Sequence, residues 1–166
     1  MRTLRSRLAL LLVAPWPVAA QDIPQTPFPP DARYFDFWEG TWHQVVHGRP
    51  DTSGTRFVVR RGVHSASWEE EWRMRIAGDT IVTARAMRSW DATKGRWGYV
   101  WVSSDGHFQV GEGRKVGKDW YIYRPFEFPS DRYLSRQAWL PVGPGRVRRI
   151  SQKSYDEGKT WERTPP

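Results

Sequence analysis

The sequence predicts an all-β fold, a single antiparallel up-and-down β-barrel of about ten strands. Three observations carry this. From Thr41 onward apolar and polar residues alternate with period two, and no stretch of that region has a useful length of helical periodicity. The alternating runs are separated by turn chemistry: Pro50-Asp51-Thr52-Ser53-Gly54, Ala77-Gly78-Asp79, Ser104-Asp105-Gly106, Gly143-Pro144-Gly145 and Asp156-Glu157-Gly158. Every connection is short. A sandwich needs some long crossovers, whereas sequential hairpins that curl on themselves need none and remove exposed edges. The barrel is therefore expected to be closed or nearly closed.

The N-terminal residues read differently. Arg2, Arg5 and Arg7 precede the apolar run 8–13, and Val18-Ala19-Ala20 places small residues before Gln21. That order predicts a signal peptide over 1–20. Pro15 and Pro17 break the run, which falls well short of the ~20 apolar residues that span a bilayer. The protein is thus expected to be periplasmic or secreted, with no integral membrane segment after signal removal. Residues 21–33 hold Pro24, Pro27, Pro29 and Pro30 and are expected to form a flexible lead, since proline suits neither a helix interior nor a ladder. The barrel domain is expected over 34–164.

The chain has no cysteine, so an exported fold of this kind rests on packing alone. Of its 11 tryptophans all but Trp16 lie beyond the predicted signal peptide and supply the material, each able to bury about 150–250 Å². Phe35-Asp36-Phe37-Trp38-Glu39-Gly40-Thr41-Trp42 reads as a hydrophobic plug leading into the first strand, with at most a turn or two of helix before Trp38. Strands are then expected over 41–48, 55–61, 65–75, 80–89, 96–102, 108–114, 119–126, 133–140, 146–155 and 159–163. Gly111-Glu112-Gly113 is too short for a phosphate loop and marks a strand bend.

The formal charge of +8 raises the question of nucleic acid. The arginines are scattered through strands, Arg60-Arg61 and Arg148-Arg149 apart, so a solvated basic surface is the better account and no nucleic-acid partner is expected. Four histidines are present. His43 and His47 lie roughly 13 Å apart along a strand, too far to share a metal, and they alternate with Trp42, Gln44 and Val46, which are expected to face inward. No metal, haem or other cofactor is expected.

Glu69-Glu70-Glu71 is the one acidic run. Alternation sets Glu70 beside Trp68 and Trp72, where an ion pair with an interior arginine, Arg136 or Arg148, is the expected role and acid–base catalysis the lesser one. Period-two counting puts Trp68, Glu70, Trp72, Trp97, Tyr99, Trp101, Arg136, Arg148 and Gln152 inside the barrel. From these, Glu70, Trp72, Trp101, Arg136, Arg148 and Gln152 are the expected ligand-binding residues. A cavity mixing Trp with charge suits a small amphipathic or planar ligand held non-covalently. Two other readings stand beside it: a hydrolase or isomerase using the interior carboxylate, and a cell-envelope module with a filled core. No catalytic residue is assigned, and the oligomeric state is open.

Several motifs bear a resemblance. Gly40-Thr41-Trp42 is similar to the Gly-x-Trp of lipocalins and other calycins. That likeness implies structural roles for Gly40 and for Trp42, which would pack across the closed end beneath an Arg from a late strand. The plug, Trp90-Asp91 through Gly95-Arg96-Trp97, Ser103-Ser104-Asp105-Gly106 and Ser154-Tyr155-Asp156-Glu157-Gly158-Lys159-Thr160-Trp161 together resemble a family of secreted bacterial lipocalin-like proteins of uncharacterised function. The last motif is also similar to the Asp-box hairpin of sialidases. One such motif cannot make a propeller, so Asp156, Gly158 and Trp161 are read as a structural hairpin.

Overall fold

A computed structural model describes residues 27–76 and 78–164; the predicted signal peptide lies outside them. Among the described residues, ten antiparallel strands run in sequence order within one sheet. They are β1 Gly40–Val46, β2 Arg49–Arg61, β3 Ser67–Arg75, β4 Ile81–Asp91, β5 Arg96–Ser103, β6 Phe108–Val116, β7 Asp119–Phe128, β8 Asp131–Gly143, β9 Arg146–Ser154 and β10 Glu162–Arg163. Among the described residues no hydrogen-bonded ladder joins β1 to β9 or β10, so the sheet curls into a barrel-like form without closing.

The first hairpin turns at His47-Gly48, both at positive φ, as a two-residue loop between twisted strands requires. The expected turn at 50–54 is instead a bulge inside β2. Asp51 accepts hydrogen bonds from the Ser53 and Gly54 amides, and the register shifts between His43 and Gln44. The side chain of Asp51 does locally what a turn would do, which is why the segment reads as one.

Two 3₁₀ turns, Pro30–Arg33 and Asp36–Trp38, form the plug. Pro30 presets φ for the first, so the end of the predicted flexible lead is folded and Ala32 is buried. Phe35 meets Trp97 edge to face at 4.9 Å, and Trp97 Nε1 donates to the Asp31 carbonyl at 3.1 Å. The Tyr34 hydroxyl donates to Asp119 at 3.0 Å. The plug thereby fills one end of the barrel with Phe35, Trp38, Trp68, Trp90, Trp97 and Trp120. Gly113 faces this cluster: a Cβ there would stand 2.8 Å from Trp97 Cβ, so the absence of a side chain lets the tryptophans approach.

At the C-terminus, Asp156 accepts from the Thr160 amide at 2.8 Å and from the Thr160 and Ser154 hydroxyls. Gly158 takes φ 92°, and Trp161 Nε1 donates back to the Gly158 carbonyl at 3.0 Å. Regular pairing is limited to Glu162–Arg163, shorter than the expected last strand, because the preceding residues are committed to this turn.

Among the described residues no helix is long and apolar enough to cross a membrane.

Candidate functional site

Above the plug the barrel interior is open. A cavity of about 880 Å³ is bounded by both edges of the sheet, Trp42 to Val45 from β1 and Val147 and Arg149 from β9. Trp72, Trp101, Trp139 and Phe57 form aromatic walls. The Trp72 ring stacks on Phe57 at 3.8 Å and meets Trp101 at 5.6 Å. Alternation along β3 and β5 puts Trp72 and Trp101 inward as expected.

Glu70 points inward too, but lies beneath the cavity. It is 1% exposed and accepts hydrogen bonds from Trp38 Nε1 at 3.0 Å, Trp72 Nε1 at 2.9 Å and Arg88 Nε at 2.5 Å. Three donors, one of them the ion-paired Arg88, satisfy the carboxylate, and a ligand cannot reach it. Its partner is Arg88 of β4, 2% exposed, not Arg136 or Arg148. The signal for Arg88 was the row Val82, Ala84, Ala86, Arg88, Trp90, every member of which is buried. An arginine in such a row faces the core and needs a carboxylate on the neighbouring strand. Arg88 also lies over the Phe35 and Trp38 rings at 4.6 and 4.8 Å, fastening the plug.

Trp42 is half-buried and stacks on Trp38 at 5.4 Å, donating Nε1 to the Trp38 carbonyl at 2.8 Å. In the plug the sealed tryptophan under an arginine is therefore Trp38, four residues before the expected one, and the arginine comes from the fourth strand. Gly40 adopts φ 133°, which favours glycine where the plug enters β1.

Arg136, Gln152 and Arg148 are not in the cavity. Arg136 Nε donates to Gln152 Oε1 at 2.8 Å, and its guanidinium lies 4.0 Å over the Trp161 ring, on the opposite face of the sheet. Trp161 also meets Tyr123 edge to face at 5.6 Å. Arg148 is exposed opposite Leu140. The inward rows of β8 and β9 contain Gln137 and Trp139, and Val147 and Arg149. Both faces of this part of the sheet are covered, the outer one by the Trp161 hairpin, so apolar residues occur on both rows and alternation points either way. His43, expected to face solvent, reaches the cavity because the bulge beside it shifts the pleat.

Sequence reasoning also passed over Arg124. It is 8% exposed, with one terminal nitrogen donating to Gln109 Oε1 at 2.8 Å and the other to Gln137 Oε1 at 3.0 Å. Its Nε has no partner among the described residues. Gly111 makes room for it: a Cβ at 111 would stand 2.6 Å from Arg124 Cγ. Burial, above all, holds the Arg124 pKa below the ordinary arginine value. Arg149, on the cavity rim, is exposed, and its side chain is partly desolvated by the protein beside it. Desolvation, then repulsion from Arg124, lowers its pKa as well. Burial pushes the Tyr99 phenol up, so it remains a donor at ordinary pH.

At the mouth, the Ser103 hydroxyl donates to Asp105, and His107 Nδ1 lies 3.3 Å from the same carboxylate. Ser103 and His107 both address Asp105, which ties the β5–β6 turn and is not the Ser-to-His arrangement of an activated nucleophile. No family model and no curated protein matches the chain.

Proposed function

We propose that the protein is an exported, lipocalin-like barrel that binds a small amphipathic or planar molecule non-covalently in its open end. The observation that carries this reading is the cavity of about 880 Å³, walled by Trp72, Trp101 and Trp139 and edged by Gln109, Gln137 and Arg124. Its size and its mixture of broad apolar faces with a few convergent polar groups suit a drug-sized ligand. An open interior weighs against the filled-core module. Burial of Glu70 under Trp38, Trp72 and Arg88 weighs against a hydrolase or isomerase using that carboxylate. The basic leader and the small residues before Gln21 support export, and the plug and turn motifs support the lipocalin-like kinship.

Titration with aromatic amphiphiles should quench tryptophan fluorescence saturably. Trp101→Ala, which removes one wall, should weaken binding by about fivefold, the equivalent of roughly 1 kcal/mol of ring contact. A linear, non-saturating response, or an unchanged affinity in Trp101→Ala, would remove the cavity as the binding site.

A further inference from the structure

Arg124 and Arg149 stand out in the cavity because nothing balances them. Among the described residues neither has a carboxylate within ion-pair distance. The hydrogen-bond partners of Arg124 are the neutral amides of Gln109 and Gln137. Glu70 is matched by Arg88 below the floor. Asp105, the acidic side chain on the cavity lining, is engaged by Ser103 and His107 at the mouth. Arg75, also on the lining, is paired with Asp79 at 3.1 Å. Arg124 is more than nine-tenths buried, and Arg149 is exposed at the rim beside it. A cation buried to that degree with no counter-charge is costly, and such sites occur where an anion completes them.

The surroundings are suited to that anion. A guanidinium carries five N–H donors, of which Arg124 uses two. Gln109 and Gln137 turn their oxygens to Arg124, which leaves their NH₂ groups as further donors. The Arg124 guanidinium lies 5.4 Å over the Tyr99 ring, and that of Arg149 lies 5.9 Å over Trp139. Flat aromatic surfaces thus run from the two cations to Trp72 and Trp101.

We propose that the ligand is an organic anion, its planar apolar body against the tryptophans and its carboxylate- or sulfonate-like head held by Arg124 and Arg149. This rests on the ligand-binding reading above. Two guanidiniums with no carboxylate of their own recognise a planar oxyanion by charge-assisted hydrogen bonds. A neutral ligand would leave the buried Arg124 uncompensated.

The test uses two probes with one ring skeleton, the anion 1-anilinonaphthalene-8-sulfonate and the uncharged N-phenyl-1-naphthylamine. Arg124→Gln and Arg149→Gln should each weaken the sulfonate at least tenfold and change the neutral probe by less than twofold. Arg148→Gln, at an exposed position outside the cavity, should leave both unchanged. Far-UV circular dichroism and melting establish that each variant folds. If Arg124→Gln does not, Arg149→Gln decides, since the Arg149 side chain makes no hydrogen bond among the described residues. Equal weakening of both probes, an unaffected sulfonate, or an equal loss in Arg148→Gln overturns the anion assignment while leaving the cavity as a binding site. If neither probe binds the parent protein, the ligand-binding reading itself fails.

Discussion

Glu70 and Arg88 hold each other in a chamber that solvent does not reach, Arg88 Nε donating to Glu70 Oε1 while Trp38 and Trp72 donate to the same carboxylate. One of these donors belongs to the plug and the other to the cavity wall, so the pair joins the two ends of the interior. Arg88→Met keeps the volume but leaves a buried carboxylate without its cation. It should cost about 3–5 kcal/mol in chemical denaturation, as breaking one side of a buried pair does. A variant as stable as the parent would show that the pair holds nothing together.

Trp38 and Trp42 stack on each other but differ in burial, Trp38 being 0% exposed and Trp42 half-buried. Trp38→Ala should cost about 3–5 kcal/mol and Trp42→Ala roughly half of that. Urea midpoints in the reverse order would return the closing role to Trp42.

Gly111 sits where a methyl group would meet Arg124 Cγ at 2.6 Å and the Tyr123 carbonyl at 2.9 Å. The first neighbour can move and the second cannot do so without shifting β7. Gly111→Ala should therefore destabilise by about 1–3 kcal/mol, as overpacking does. It should also displace Arg124 and weaken anionic probes more than neutral ones. Parent-like stability together with parent-like anion binding would show that no close approach exists there.

Asp156 anchors the C-terminal turn, and its hydrogen bonds from the Thr160 hydroxyl and amide, then from Ser154, hold its carboxyl well below the usual carboxylate range. A folded-state pKa below the unfolded value of ~3.9 stabilises in full above that value and is lost as pH falls toward the depressed one. The Thr160 amide resonance should accordingly keep its folded position down to about pH 4 and move only at lower pH. In Asp156→Ala the same resonance should be displaced at every pH, with Trp161 loosened from Tyr123 and Arg136. A Thr160 signal that titrates near an ordinary carboxylate pKa would contradict the anchoring.

Local chemistry was legible in the sequence wherever it acts over a few residues. Period-two alternation marks each strand because successive side chains point to opposite faces, and Gly, Asp and Pro mark most turns because they supply the dihedrals and hydrogen bonds that turns need. The Asp156–Trp161 hairpin was legible for the same reason, as was the inward placing of Trp72 and Trp101 on strands whose tryptophans share one row. The turn at 50–54 was misplaced because Asp51 imitates one within a strand.

Tertiary structure alone decided which row of β8 and β9 faces the cavity. Alternation divides a strand into two faces without saying which is inside, and the Trp161 hairpin covers the outer face, so Arg136 and Gln152 look as interior as Gln137 and Arg149. Partner choice was likewise beyond the sequence. Glu70 pairs with Arg88 because the β3–β4 register sets Trp68 opposite Arg88 and Glu70 opposite Ala86, which lets the arginine reach diagonally along the sheet. Such a contact depends on register and curvature, which sum over the whole ladder, so it became visible only once the sheet had curled around the plug.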